Sequence, residues 1–212
     1  MLFNSFAFFV FLPIVFVIYW ALRNNLKAQN LFVLASSYVF YGWWDWRFLA
    51  LIFVSSIADY SLGILLDKET QQRKRKLYLT ASIIVNIGIL GFFKYFNFFI
   101  DAFSSLISSF GLEPNLPSLQ IILPVGISFY TFQTLSYTID IYKRKIEPTK
   151  DVIAFFAFVG FFPQLVAGPI ERAKNLIPQF LRKRTFDVYT ASDGMRQILW
   201  GFFKKIVIAD NA

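Results

Sequence analysis

Long apolar runs separated by short basic gaps restrict this chain more than any other feature. Met1 to Leu22 is interrupted only by Asn4, Ser5 and Pro13, and a polar gap from Arg23 to Asn30 follows it. Leu31 to Trp44, Phe48 to Leu66, Leu77 to Phe93 and Ile121 to Tyr142 are further apolar runs. A bilayer-crossing helix needs about 20 apolar residues, so several of these runs approach the required length. Of the 212 residues, 57% are hydrophobic and 16% charged, against roughly 45–50% and 25% in soluble domains. A soluble core of this size could not hide so many apolar side chains. The sequence therefore predicts an all-α fold, a polytopic transmembrane helical bundle with re-entrant and interfacial helices.

The charge distribution adds orientation. Lysine plus arginine number 21 and aspartate plus glutamate 13, a net charge of +8. The bases crowd into the gaps, as in Arg73-Lys74-Arg75-Lys76 and Lys143-Arg144-Lys145, the positive-inside pattern of cytoplasmic loops. A nucleic-acid face would spread them along one surface, so no nucleic-acid partner is expected and the lipid bilayer is. Met1 to Leu22 lacks the basic start and cleavage site of a secretory signal and reads as a retained helix.

Parity then assigns the crossings. If Leu77 to Phe93 leaves the cytoplasm and Lys143 to Lys150 lies back inside, Ile121 to Tyr142 is the returning helix. Tyr95 to Phe110, with Asn97, Asp101 and four serines, becomes a helix that does not span. Val152 to Ile170 has basic stretches on both flanks and is expected to be re-entrant. Gly160, Pro163, Gly168 and Pro169 break its backbone, and such backbone at membrane depth is tolerated only where protein or a water-filled cavity covers it. Gly194 to Ala212 has the spacing of an amphipathic helix at the cytoplasmic face.

The chain has no cysteine and no histidine. Thiolate sites and disulfides are excluded, and the commonest general base and metal ligand is missing. No catalytic residue and no metal ligand set is assigned. Polar residues inside the apolar runs remain as candidates, because such groups usually face a partner or a cavity. Tyr130, Gln133, Tyr137 and Asp140 recur at spacings of three, four and three, and so share one helix face. Hydrogen bonds that merely hold a bundle together are the competing account of that face. Asp59 and Asp101 are lone acids, readable as a proton or ion relay or as interfacial acids paired with Lys94 or another base. Trp43, Trp44 and Trp46 suit an interfacial belt.

Three strings carry a resemblance: FFKYFNFF at Phe92 to Phe99, LPVGISFYTFQTLSYTIDIY at Leu123 to Tyr142, and FFPQLVAGPIERAKNLIPQF at Phe161 to Phe180. They resemble signatures of the membrane-bound O-acyltransferase (MBOAT) family, most closely its alginate O-acetyltransferase (AlgI-like) branch. The D-alanyl transferase branch tends to carry Ser-Gly-Pro where this chain has Ala167-Gly168-Pro169.

The resemblance implies a multi-pass protein of the bacterial inner membrane that moves an acetyl group from a cytoplasmic donor toward hydroxyls of an exported polysaccharide, using a histidine in a membrane-embedded tunnel. Residues 1–212 then read as the N-terminal part of a single MBOAT-like domain, truncated at the C-terminus and inactive by itself for want of that histidine. By analogy Ser128, Tyr130, Gln133, Tyr137, Asp140, Pro163, Gly168, Pro169 and Arg172 shape the substrate or acyl-donor tunnel and its mouth. No bound cofactor is implied. Acetyl-coenzyme A or another acyl donor is the expected substrate, with Arg172 suited to its phosphates or, alternatively, paired with Glu171 as an anchor. The acceptor is an alginate-like polysaccharide, reached directly or through an extracytoplasmic acetyltransferase partner. A membrane transporter and a non-catalytic membrane scaffold are the rival classes; a transporter should carry an inverted repeat, and none is visible.

Overall fold

A computed structural model describes residues 1–110, 124–165 and 168–211, and every regular element among them is helical. The order is α1 (Phe6–Ala21), α2 (Leu26–Asp45), a 3-10 turn (Trp46–Phe48), α3 (Leu49–Lys68), α4 (Gln72–Ser109), α5 (Ile127–Tyr142), α6 (Val152–Gly160), α7 (Phe162–Leu165), α8 (Ala173–Leu181), α9 (Val188–Phe202) and a π-helical turn (Phe203–Ala209). The stretch Leu26–Lys68, made of α2, the 3-10 turn and α3, and helix Gln72–Ser109 are long and apolar enough to cross a bilayer. The chain is an all-α membrane protein.

Local chemistry sets the helix ends. Ser5, Asn25 and Asp151 each accept a backbone N–H of the first turn of α1, α2 and α6, at 3.3, 3.1 and 3.0 Å, satisfying donors that the helix itself leaves open. Between α2 and α3 the backbone becomes extended at Asp45, whose carboxylate holds the Arg47 N–H at 2.9 Å. The turn between α3 and α4 is built on Glu69, which accepts from the N–H groups of Gln71 at 2.9 Å and Thr70 at 3.1 Å. The Gln71 N–H above all, then the nearby Lys74, holds this carboxyl below the ordinary glutamate range.

The core has two halves that meet at α5 and α6. Helices α3, α4 and α5 pack together on one side, and α2, α6 and α8 on the other. Every residue from Ala154 to Gly160 is buried. The expected break in Val152 to Ile170 is present: the helix ends at Gly160, Phe161 leaves helical geometry, and α7 lasts only from Phe162 to Leu165. Protein covers the freed backbone, as the membrane argument requires. A smaller aromatic cluster of Phe8, Phe40 and Phe162, with Met1 and Val15, fastens α1 to α2 and α7.

Three expectations need correction. Tyr95 to Phe110 is no separate helix, because α4 runs unbroken from Gln72 to Ser109, about 57 Å at 1.5 Å per residue. One lysine at position 94 interrupts the apolar pattern but offers neither a cap nor a proline, and only those stop a backbone. No residue of α4 beyond Leu90 is buried. The C-terminal helix begins at Val188 rather than Gly194, because Asp187 caps it by accepting the Thr190 N–H at 2.7 Å. The returning helix starts, among the described residues, at Ile127; Ile121 to Leu123 lie outside them.

Candidate functional site

Helix α5 is the natural place to start, because it carries four of the candidate residues on one predicted face. It begins at Gly126, whose φ of +78° is the left-handed conformation that glycine adopts readily. A Cβ there would lie 2.3 Å from the Leu165 carbonyl oxygen, so the same glycine also lets α7 close onto the start of α5. Tyr130, Gln133, Tyr137 and Asp140 are all buried. The shared face is real, and it looks into protein.

Gln133 reaches the broken segment. Its Nε2 donates to the carbonyl of Phe158 at 2.8 Å and lies 3.4 Å from Gln164 Oε1. The Phe158 carbonyl stands in the last turn of α6, where helix carbonyls lose their partners. Tyr41 of α2 donates to the Val125 carbonyl at 2.7 Å, and Ser37 Oγ accepts the Phe162 N–H at 3.2 Å. Among the described residues Tyr130 Oη and Tyr38 Oη are buried with no hydrogen-bond partner, so both hydroxyls are able to donate. Tyr137 packs its ring 4.8 Å from that of Phe155 and fills the space above Gly63, where a Cβ would lie 2.9 Å away.

The remaining predicted residues do not all converge on this point. Ser128 is half-buried on the first turn of α5. Pro163 is exposed, and two apolar cavities meet at it: one of about 640 Å³ between α1, α2 and α8, the other of about 610 Å³ between α1 and α9. Gly168 packs so closely on Gln164 that a Cβ would come within 2.6 Å of its Cα. Pro169 and Arg172 are exposed, Arg172 immediately before α8. Ala167 lies outside the described residues. Glu171 accepts from Asn175 Nδ2 at 2.8 Å and forms no ion pair with Arg172, so the alternative reading of a Glu171–Arg172 pair is not met.

A second polar system lies between α3, α4 and α5. Asp59 is fully buried. Its carboxylate accepts from Ser82 Oγ at 2.5 Å, Asn86 Nδ2 at 2.7 Å and Thr138 Oγ1 at 3.2 Å. Asn86 Oδ1 in turn accepts from Ser55 at 3.0 Å and Thr134 at 3.1 Å. Pairing with Lys94 or another base is thereby overturned: among the described residues Asp59 enters no ion pair. Burial without a counter-charge is tolerable because three donors solvate the carboxylate. The only sequence signal for it is that each of three helices supplies an i, i+4 polar pair: Ser55 and Asp59, Ser82 and Asn86, Thr134 and Thr138.

Two arginines drawn from the basic gaps also turn out to be tied into the fold. Arg75 is buried and donates to the carbonyls of Leu66, Glu69 (3.3 Å), Ile141 (3.2 Å) and Tyr142 (2.9 Å), closing the C-terminal ends of α3 and α5. A cation is favourable there because helix carbonyls accumulate negative potential. Arg184 binds Gln29 Oε1 at 2.9 Å, Asn30 Oδ1 at 2.7 Å and the Gln179 carbonyl at 3.0 Å. No sequence signal separated these two from their neighbours, because charge counting treats every base in a gap alike.

Among the described residues no group of three histidine, cysteine or acidic side chains could hold a metal. The site as built can anchor backbone, present buried tyrosine hydroxyls and offer apolar cavities; a proton acceptor matched to neutral pH is not part of it. Comparison with known proteins supplies the missing context. Over its whole length the chain is 39% identical to a protein of Azotobacter vinelandii and 40% identical to one of Pseudomonas putida, both named "Probable alginate O-acetylase AlgI", covering 42% and 43% of them. Over its whole length the chain is therefore similar to proteins named as alginate O-acetylases. This bears out the resemblance carried by the three strings. A Helicobacter pylori peptidoglycan O-acetyltransferase is 31% identical, with 45% of its length covered. The chain thus spans less than half the length of these AlgI-type and related proteins, matching their N-terminal part. No family model and no solved structure matches it.

Proposed function

We propose that these residues form the N-terminal part of a multi-pass bacterial inner-membrane O-acetyltransferase that moves acetyl groups from a cytoplasmic donor toward hydroxyls of an exported polysaccharide. The observation that carries this reading is the full-length similarity to enzymes named for two different glycan acceptors, alginate and peptidoglycan. Their common element is a polysaccharide hydroxyl, so the acceptor class is that and the individual glycan is left open.

A sugar hydroxyl attacks an acyl carbon only when a base removes its proton, and a base poised near neutral pH serves best. The chain has no histidine, and Asp59 is already held by three donors. We assign the base to sequence outside these 212 residues, which makes this portion inactive by itself. Its part is structural and orienting: α5 and the broken α6–α7 segment wall the path, with Tyr130 and Gln133 toward it. Arg172, exposed and free of Glu171, is available to a phosphate of acetyl-coenzyme A or another acyl donor. An extracytoplasmic acetyltransferase partner would complete the transfer outside. The rival transporter reading loses the support of Asp59, which three donors hold in place, and rests on the broken α6–α7 segment alone.

The test uses the full-length protein in membranes. Deletion of the gene should remove O-acetyl groups from the exported polysaccharide, and the intact gene should restore them. Arg172→Ala should raise the apparent KM for the donor with little change in protein level, whereas Glu171→Ala should not. Unchanged polysaccharide acetylation after deletion would sink the reading.

A further inference from the structure

The cavity between α1, α2 and α8 has the two-ended chemistry of an amphiphile site. Leu12, Val15, Phe16 and Tyr19 line it from α1; spaced i, i+3, i+4 and i+7, they form one continuous helix face. That wall is about 10 Å long at 1.5 Å per residue. Leu176 and Phe180 of α8 supply the facing wall. Around the same cavity stand Trp20, Arg182, Lys183, Arg184 and Thr185. Trp20 closes the α1 end that leads into the basic gap beginning at Arg23.

The bases differ in what they already do. Arg184 is consumed by Gln29, Asn30 and the Gln179 carbonyl, and its guanidinium lies over the rings of Phe180 and Tyr19 at 5.2 and 5.6 Å. It fixes the mouth. Arg182 and Lys183 are exposed, and among the described residues neither meets a carboxylate. Two uncommitted cations beside an apolar slot complement a ligand with negative charge at one end and hydrocarbon at the other. Most of the rest of α1 is exposed and apolar, including Phe9, Ile14, Val17 and Ile18, so the slot opens along a surface fitted to lipid.

We propose that this groove binds a phospholipid with an anionic headgroup, the acyl chain lying along Leu12 to Tyr19 and the phosphate between Arg182 and Lys183. Basic pockets between helices at the cytoplasmic side of membranes are suited to such headgroups. The site is separate from Arg172 and does not depend on acetyl transfer.

The experiment is native mass spectrometry of the detergent-purified full-length protein, incubated with phosphatidylglycerol or phosphatidylcholine and no acetyl donor. The intact protein should retain phosphatidylglycerol preferentially. Arg182→Gln should weaken that preference about fivefold, and Arg182→Gln with Lys183→Gln about 25-fold. Both positions are exposed, so the fold should persist. Leu12→Trp fills the slot and should reduce retention of both lipids. Equal retention of the two lipids by the intact protein would overturn the proposal. So would displacement of phosphatidylglycerol by inorganic phosphate or coenzyme A alone, which would mark a donor-phosphate site, and so would indifference to Leu12→Trp, which would mean that protein from the rest of the chain occupies the groove.

Discussion

The two sides of α5 solve the same problem in different ways. Toward α3 and α4, helices run 16 to 38 residues without a break, and side chains bond chiefly to side chains around Asp59. Toward α2, α6 and α7, helices are as short as four and nine residues, and side chains bond to backbone: Gln133 to Phe158, Tyr41 to Val125, Ser37 to Phe162, Asn30 to Phe180. A continuous helix satisfies its own backbone, so its polar side chains are free to join helices. A broken one exposes carbonyls and N–H groups that lipid cannot solvate, and polar side chains must be diverted to them. The broken side should therefore be the more sensitive to single substitutions.

The largest expected effect is at the hinge of the broken side. Gly126→Ala combines a left-handed backbone, unfavourable by roughly 1–2 kcal/mol for other residues, with a collision against the Leu165 carbonyl that adds about 1–3 kcal/mol. Thermal unfolding of the full-length protein in detergent should show this as the most damaging of the changes considered. Gln133→Leu comes next: it strands the Phe158 carbonyl in the interior, at about 1–3 kcal/mol. Thr138→Val removes one of three donors to Asp59, and interhelical hydrogen bonds in membranes average about 0.6 kcal/mol. The comparison breaks if Thr138→Val proves as damaging as Gln133→Leu under the same denaturant series.

The smallest effect concerns the α3–α4 turn, outside the helices. The Glu69 carboxyl is held below its ordinary value, first by the Gln71 N–H. A depressed folded-state pKa stabilises the fold above the unfolded-state value, near 4.5, and the contribution fades as pH falls through the folded-state value. Wild type should therefore lose a little stability between pH 5 and the folded-state pKa that Glu69→Gln does not lose; those limits are roughly the acid range of carboxylates. Parallel acid limbs for the two proteins would remove Glu69 from the account.

Much of the architecture could be read along the chain. Apolar runs and basic gaps implied a helical membrane protein, and glycines and prolines located the break near Phe161. The polar stripe on α5 was correctly assigned to one face, and the three strings identified the enzyme class of the relatives. The Asp59 network was missed only because its three polar pairs sit on three different helices. Each pair alone is weak, and nothing in a linear pattern says which helices adjoin.

Sequence by itself determined what depends on local period and composition: helicity, the polar face of α5, the break near Phe161, and an apolar surface too large for water. Tertiary structure decided what depends on neighbours far along the chain. It tied Arg75 and Arg184 to carbonyls and amides of the fold while Arg172, Arg182 and Lys183 stayed exposed, although all five bases lie in gaps that look alike. The difference is whether unpaired helix carbonyls or buried amides stand within reach of the guanidinium. It also carried α4 straight through Lys94, because a single charge on an outward face costs a helix little and ends it only where the backbone finds another partner.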